Sequence, residues 1–263
     1  MEIKQGIRRN FARRAPSYDR HAAAQRFMAR RLLALVKPAA PRPGRILEIG
    51  CGTGYLTERL RREHAGARLT ALDLAPALVA AARERLGPNG GVAWVVADAE
   101  SWGRGAFDLI ISNAVFQWLT RPGEALAAYF HRLRPGGVLA FSTLGPLTFR
   151  ELWAALSEAA ARLNVRAVPE IPAQGFLTQE GWARILKDAG FAQVHLERQV
   201  VTTAYPTVWQ FLKSLQATGA TNPEPRPFSP RLLRAMTEAY EESFRRNGAI
   251  PVTYEIIWVL ARE

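Results

Sequence analysis

Cysteine is almost absent. The 263 residues contain one, Cys51, so no disulfide can form within the chain. No apolar run approaches the roughly 18 residues that a membrane-crossing helix needs. The N-terminus is rich in arginine, but no apolar stretch follows within signal-peptide distance. These absences lead us to expect a cytoplasmic protein. Internal repeats and low-complexity tracts are missing as well. The four histidines (21, 64, 131, 195) are scattered, so they suggest no metal site and each suits a surface or core position better. Acidic residues are nearly missing from the first 45 positions.

Charge and apolar content are what the chain does have. It is 48% hydrophobic, enough to bury a sizeable core, and α/β folds often reach this length as one unit. Residues 1–45 hold 12 Lys/Arg and 2 Asp/Glu, a net of +10; the remaining residues hold 23 and 21, a net of +2. A basic arm suits an anionic partner such as nucleic acid, acidic protein or acidic lipid. A solvated helix in an arginine-rich chain (31 Arg against 4 Lys) accounts for it equally well.

Residues 1–37 read as a basic helical arm. Ala22, Phe27, Met28, Leu32, Leu33 and Val36 recur at helical spacing, and Pro38, Pro41 and Pro43 should break the helix. Strand and helix signals then alternate. Strands are expected at Arg45–Ile49, Arg68–Leu74, Val92–Ala97, Phe107–Ser112 and Val138–Thr143. Helices are expected at Tyr55–Glu63, Pro76–Leu86 and Pro122–Leu133, with Arg134-Pro-Gly-Gly137 as a turn. Such alternation means a mostly parallel sheet with helices on both faces, the Rossmann-like α/β class. Later come a helix at Leu147–Leu163, another at Thr178–Ala189 capped by Thr178, and strands at Gln193–Thr203 and Thr253–Ala261. Two further helices flank a proline-rich loop at Asn222–Pro230. Residues 145–177 and 207–248 look like insertions into a single domain. They should sit near the C-terminal ends of the strands, where open α/β sheets bind ligands, as a lid.

The strongest motif is Ile46-Leu-Glu-Ile-Gly-Cys-Gly-Thr-Gly54. A strand carries Glu48, glycines follow at 50, 52 and 54, and a helix starts at once. Glycines permit a tight turn and close approach to a ligand, and a helix N-terminus favours a negative group. The dinucleotide fingerprint is G-x-G-x-x-G. Here the spacing is G-x-G-x-G, with an acid two residues before the first glycine. Glu48 would repel a pyrophosphate but suits a ligand bearing an ammonium and a sulfonium. Asp73, with Leu74, ends the second strand and can accept both ribose hydroxyls. Asp98, with Ala99, ends the third and can accept an adenine amine. Asn113 follows the fourth; an ordinary polar loop cap explains it as well as a ligand contact does.

This ordered set resembles the class I S-adenosylmethionine-dependent methyltransferases over roughly residues 44–143 and the last two strands. The resemblance implies a seven-stranded sheet whose final strand is antiparallel, and S-adenosylmethionine as methyl donor, leaving as S-adenosylhomocysteine, with no metal. Methyl transfer from a sulfonium needs alignment and exclusion of water rather than a catalytic triad. After the fourth strand the chain has Asn113-Ala-Val-Phe in place of the Asn/Asp-Pro-Pro-Tyr of amine methylases, which argues against an exocyclic amine and against nucleic acid. A carboxylate is already ionised at neutral pH and needs positioning rather than a general base.

Four further segments narrow the resemblance: Asn10-Phe-Ala-Arg-Arg-Ala-Pro-Ser-Tyr-Asp-Arg-His-Ala22, Ser112-Asn-Ala-Val-Phe-Gln-Trp118, Phe141-Ser-Thr-Leu144 and Thr148-Phe-Arg-Glu-Leu152. Together with Gly175-Phe-Leu-Thr178 and residues 212–222, they are similar, almost end to end, to the malonyl-acyl-carrier-protein O-methyltransferases of biotin synthesis. That family methylates the free carboxylate of a malonyl thioester on an acidic acyl carrier protein, so the fatty-acid machinery can elongate the ester. Expected on that footing are Arg150 as carboxylate anchor, Tyr18 over the sulfonium or on the substrate, Trp118 and Phe176 as pocket walls, and Gln117 on cofactor or thioester. Arg150 could equally form a surface ion pair with Glu151, Glu158 or Glu170, and Tyr18 could simply dock the arm. A small-molecule carboxylate or RNA remains an alternative acceptor.

Overall fold

The computed structural model describes residues 2–88, 90–166, 168–219 and 229–263. Seven strands form one sheet: β1 (Arg45–Ile49), β2 (Arg68–Asp73), β3 (Val92–Val96), β4 (Phe107–Asn113), β5 (Leu133–Leu144), β6 (Gln193–Tyr205) and β7 (Ile250–Arg262). Their order is β3-β2-β1-β4-β5-β7-β6. β1 pairs in parallel with both β2 and β4, whereas β7 runs antiparallel to β5 and to β6. The seven-stranded, mostly parallel sheet with an antiparallel final strand is therefore the one the sequence led us to expect. Chain direction across the sheet reverses at β1 and β4, which opens a crevice above their C-terminal ends.

Side chains alternate across the sheet, so each strand supplies two cores. Ile46, Leu69, Leu109, Ile111, Ile256 and Trp258 pack with Met28, Leu32 and Val36 of α2 (Ala23–Ala39) and with Leu56 and Leu60 of α3 (Tyr55–Glu63). Leu47, Ile110, Phe141 and Val259 pack on the opposite face with Leu126 and Tyr129 of α5 (Pro122–Phe130) and with Trp182 and Leu186 of α7 (Gln179–Asp188). α4 (Pro76–Leu86) covers β2 and β3. A third core joins α6 (Arg150–Arg162), α8 (Val208–Ala217) and α9 (Pro230–Phe244), the helices of the two inserted segments.

Several boundaries differ from expectation. The arm is two helices, α1 (Glu2–His21) and α2, broken at Ala22 (φ −87°, ψ 38°). α2 packs on the sheet, while α1 turns away to lie against α4 and α8. Pro38 sits inside the last turn of α2 instead of ending it, because removing one amide there loosens little of the helix. Arg134-Pro-Gly-Gly137 belongs to β5 as a bulge: β4 advances from Phe107 to Leu109 while β5 advances from Leu133 to Val138. α6 starts at Arg150, since β7 and its side chains take the preceding amides. The Leu147 N–H donates to Glu255 Oε2 at 2.7 Å and the Phe149 N–H to the Thr253 carbonyl at 2.8 Å. The expected proline-rich loop lies, as far as residue 228, outside the described residues.

Candidate functional site: a cleft roofed by the N-terminal helix

The β1–α3 loop takes the left-handed region at Gly50, Gly52 and Gly54 (φ 71°, 55° and 85°). At Gly50 a Cβ would lie 2.2 Å from Val115 Cγ2, so both space and φ require glycine. A Cβ at Gly52 would meet nothing within 4 Å, so the loop faces open space there. Behind it lies Glu48, 1% exposed, with neither carboxylate oxygen hydrogen-bonded. Burial pushes its carboxyl up to about 8, and the nearby Asp73 charge adds to the shift. The Thr57 amide and hydroxyl pull the other way without closing a hydrogen bond of normal geometry. A buried carboxyl without partners is costly unless something else satisfies it. A ligand ammonium or sulfonium is what this position lacks, so the residues present fit the expected cofactor.

Asp73 is also buried. Its Oδ2 accepts the Gly52 N–H at 3.0 Å and its Oδ1 the Ala75 N–H at 2.9 Å, which braces the glycine loop and the start of α4. Burial raises its pKa against those backbone bonds and that of Leu74. Asp98 Oδ2 meets the Lys4 ammonium at 2.6 Å, and Oδ1 accepts the Glu100 N–H at 3.0 Å. Lys4 also pairs with Glu100. The Ala99 carbonyl accepts the Tyr129 hydroxyl at 2.8 Å, which fixes the turn after β3. Glu48, the glycines, Asp73 and Asp98 thus fall in chain order along the C-terminal ends of β1, β2 and β3.

α1 roofs that crevice. Its Phe11 stands edge-on to Trp118 at 6.1 Å and 6.4 Å from Tyr18, while Trp118 meets Phe176 at 5.9 Å. Tyr18, Trp118 and Phe176, predicted separately, form one aromatic group, and Phe11 completes it. Burial pushes the Tyr18 hydroxyl well above the usual phenol range, with the charges of Asp73 and Asp19 adding to it. The phenol therefore stays protonated, with its O–H able to donate. Among the described residues neither that hydroxyl nor the Trp118 indole N–H has a hydrogen-bond partner. Asn113 and Gln117 do have partners. Asn113 donates to the Gln25 carbonyl at 3.1 Å and accepts from Ser142 at 2.7 Å. Gln117 donates to the Ala114 carbonyl at 2.9 Å and accepts from Thr143 at 3.1 Å. Their observed contacts hold the β4 loop to α2 and β5.

Arg150 does not join this group. It pairs with Glu151 at 3.2 Å and lines a separate cavity of about 460 Å³ with Thr202, Ser243, Phe244, Arg246 and Pro251. The cause is local. Glu151 accepts the Thr253 N–H at 3.0 Å and its hydroxyl, which fixes α6 on β7 and turns Arg150 toward α9. The surface ion pair, one of the two readings open from sequence, is what forms. Sequence reasoning missed Lys4, Phe11, Asp19, Thr53 and Arg85 as parts of the site. Phe11 was within reach of it, since it precedes Tyr18 by seven residues and so shares its helix face. Among the described residues, no group of three or more His, Cys, Asp or Glu is placed to hold a metal ion, and no helix is long and apolar enough to cross a membrane.

The chain is similar in sequence to known methyltransferases. Residues 47–141 match the family model described as a methyltransferase domain. The malonyl-acyl-carrier-protein O-methyltransferase of Halalkalibacterium halodurans is 35% identical, over 98% of this chain and 98% of its own length. The protein of the same name from a Paenibacillus species is 37% identical, over 98% and 97%. The structure of phosphoethanolamine N-methyltransferase 2 from Haemonchus contortus, in complex with S-adenosyl-L-methionine, superposes with a TM-score of 0.56 at 18% identity. It covers 89% of this chain and 52% of its own, and at that identity it speaks for the fold alone.

Proposed function

The chain belongs to the malonyl-acyl-carrier-protein O-methyltransferases, and from that premise we propose that it methylates the free carboxylate of a malonyl thioester carried by an acidic acyl carrier protein. The methyl donor is S-adenosylmethionine, whose sulfonium supplies an electrophilic methyl group and leaves as the neutral S-adenosylhomocysteine. The observation that carries the reading is Glu48, a buried carboxylate with no partner behind a glycine loop that turns toward the cleft. Glu48 faces the cofactor's ammonium end, Asp73 the ribose and Asp98 the adenine amine, with Leu74 and Ala99 beside them and Asn113 at the rim.

The acceptor side is walled by the aromatic side chains of Phe11, Tyr18, Trp118 and Phe176. We assign the Tyr18 hydroxyl and the Trp118 indole N–H to the malonyl carboxylate and Phe176 to the pocket wall. Two neutral donors orient a carboxylate while leaving it nucleophilic, whereas an arginine fork would hold and stabilise the ground state. The placement of Arg150 in another cavity supports this division. α1 and the inserted segments 145–177 and 207–248 act as the lid that excludes water.

The outer face of α1 suits the carrier. Arg8, Arg9, Arg13, Arg14 and Arg20 are exposed and unpaired among the described residues. Such a stripe draws an acidic carrier toward the roof of the site. Carrier proteins of this kind work in the cytoplasm, where a single buried, reduced cysteine is at home.

The test is intact mass. Malonyl-acyl carrier protein incubated with enzyme and S-adenosylmethionine should gain one methyl group, which alkali releases as methanol, a product that hydrolysis of the thioester alone does not give. No gain, or an alkali-stable one, contradicts the reading.

A further inference from the structure

Asp19 follows Tyr18 directly and ties three elements together. Its Oδ1 accepts the Thr53 hydroxyl at 2.6 Å, and its Oδ2 accepts the Arg85 guanidinium of α4 at 2.5 Å. Arg85 also donates to the Thr53 carbonyl at 3.1 Å, which closes a three-residue clasp. The Asp19 carbonyl accepts from Arg26 of α2, so the break between α1 and α2 is held from both sides. Thr53 lies between Gly52 and Gly54 in the cofactor loop, and the Gly52 N–H is fixed by Asp73. The loop is thus gripped from β2 on one side and from α1 on the other.

The ion pair itself adds little stability, since the Arg85 and Asp19 side chains are 28% and 42% exposed and solvent screens such pairs. What the clasp does fix is the position of the neighbouring residue. Tyr18 is seated over the cleft because Asp19, one residue on, is fastened to the loop beneath. The Thr53 hydroxyl belongs to that loop, so a ligand that lies against the loop bears on the clasp as well.

We propose that Asp19 is a positioning residue whose clasp with Thr53 and Arg85 couples cofactor occupancy of the glycine loop to α1, so that bound cofactor steadies α1 and the seat of Tyr18 in the acceptor pocket. The proposal rests on the methyltransferase reading and adds a coupling to it: cofactor on the loop firms the acceptor pocket. At the far end of α1, Lys4 on Asp98 and Glu100 is the second fastening over the same cleft.

Hydrogen exchange of α1 in the full-length enzyme, with and without S-adenosylhomocysteine, tests this without any acceptor. In the wild type the product should slow exchange across residues 5–21. In Asp19→Asn the product should still bind, weaker by about threefold to tenfold because coupling is reciprocal, but without protecting α1. With saturating cofactor, kcat should fall about tenfold or more while circular dichroism is unchanged. Thr53→Val, which removes one hydroxyl, should repeat the loss of protection if Asp19→Asn does not fold. Asp19→Asn and Arg85→Met should be non-additive in kcat, as members of one clasp are. Wild-type α1 indifferent to product, protection that survives both substitutions, or strictly additive effects would each overturn the proposal. If protection behaves as described but malonyl-acyl carrier protein gains no methyl group, the acceptor reading fails and the clasp stands.

Discussion

Glu48 shows how burial sets the charge state of a single residue against the one a cationic ligand needs. Its carboxyl is raised to about 8 in the folded protein against an ordinary value near 4.5. Between those values the unfolded chain is ionised and the folded one is not, so free-enzyme stability from this group is full below about pH 4.5 and declines as pH rises toward 8. By pH 7 the loss is on the order of 3 kcal/mol, since each pH unit is worth about 1.4 kcal/mol. Glu48→Gln should flatten the fall in melting temperature between pH 5 and 8. A cationic cofactor needs the ionised form, so affinity for S-adenosylmethionine should rise from pH 6 to 8 in the wild type and lose that rise, and most of its strength, in Glu48→Gln. Calorimetric titration at three pH values reads both effects. On the acceptor side, Tyr18→Phe removes one donor to a charged group and should lower kcat/KM by about tenfold to a hundredfold. Arg150→Ala, in its separate cavity, should stay within about threefold, a change of under 1 kcal/mol. The reverse pattern would return the anchor to Arg150.

At the level of elements, the β1–α3 loop was legible because its constraint is local. A left-handed φ at positions 50, 52 and 54 favours glycine whatever packs around it, and all three are glycine. Gly50→Ala should abolish detectable cofactor binding while the far-ultraviolet spectrum is kept, and an alanine variant that still binds would mean the loop can move aside. Strand alternation was legible for the same reason, since β1 (Arg45–Ile49), α3 and α4 depend on their own periodicity and caps. What the sequence hid depends on distant partners. The turn at Arg134–Gly137 became a bulge because β4 pairs across it. α6 begins late because β7 takes its first amides. Arg150 faces away from the site because Glu151 is bound to Thr253, 102 residues later. The basic arm read as one helix because the break at Ala22 has no proline or glycine to mark it. The clasp on Asp19 was invisible until α1 and the loop stood side by side.

For the whole molecule, charge and fold divide the work. On the proposed reading the sheet and its two cores supply the cofactor crevice, while the N-terminal helix, with aromatics inward and arginines outward, selects the acceptor. KM for a carrier-bound acceptor should therefore rise steeply with salt, whereas kcat should move little. Replacing Arg9, Arg13 and Arg20 with glutamine should remove much of that dependence; unchanged salt dependence would shift the docking site elsewhere. The most direct test of the central claim is to offer enzyme and methyl-labelled S-adenosylmethionine three acceptors side by side, malonyl-acyl carrier protein, malonyl-coenzyme A and total RNA, and follow label into base-labile ester. The account predicts label on the carrier-bound malonyl group, with the coenzyme A thioester used less well and RNA not at all. Label on RNA alone, or on none of the three, would contradict it.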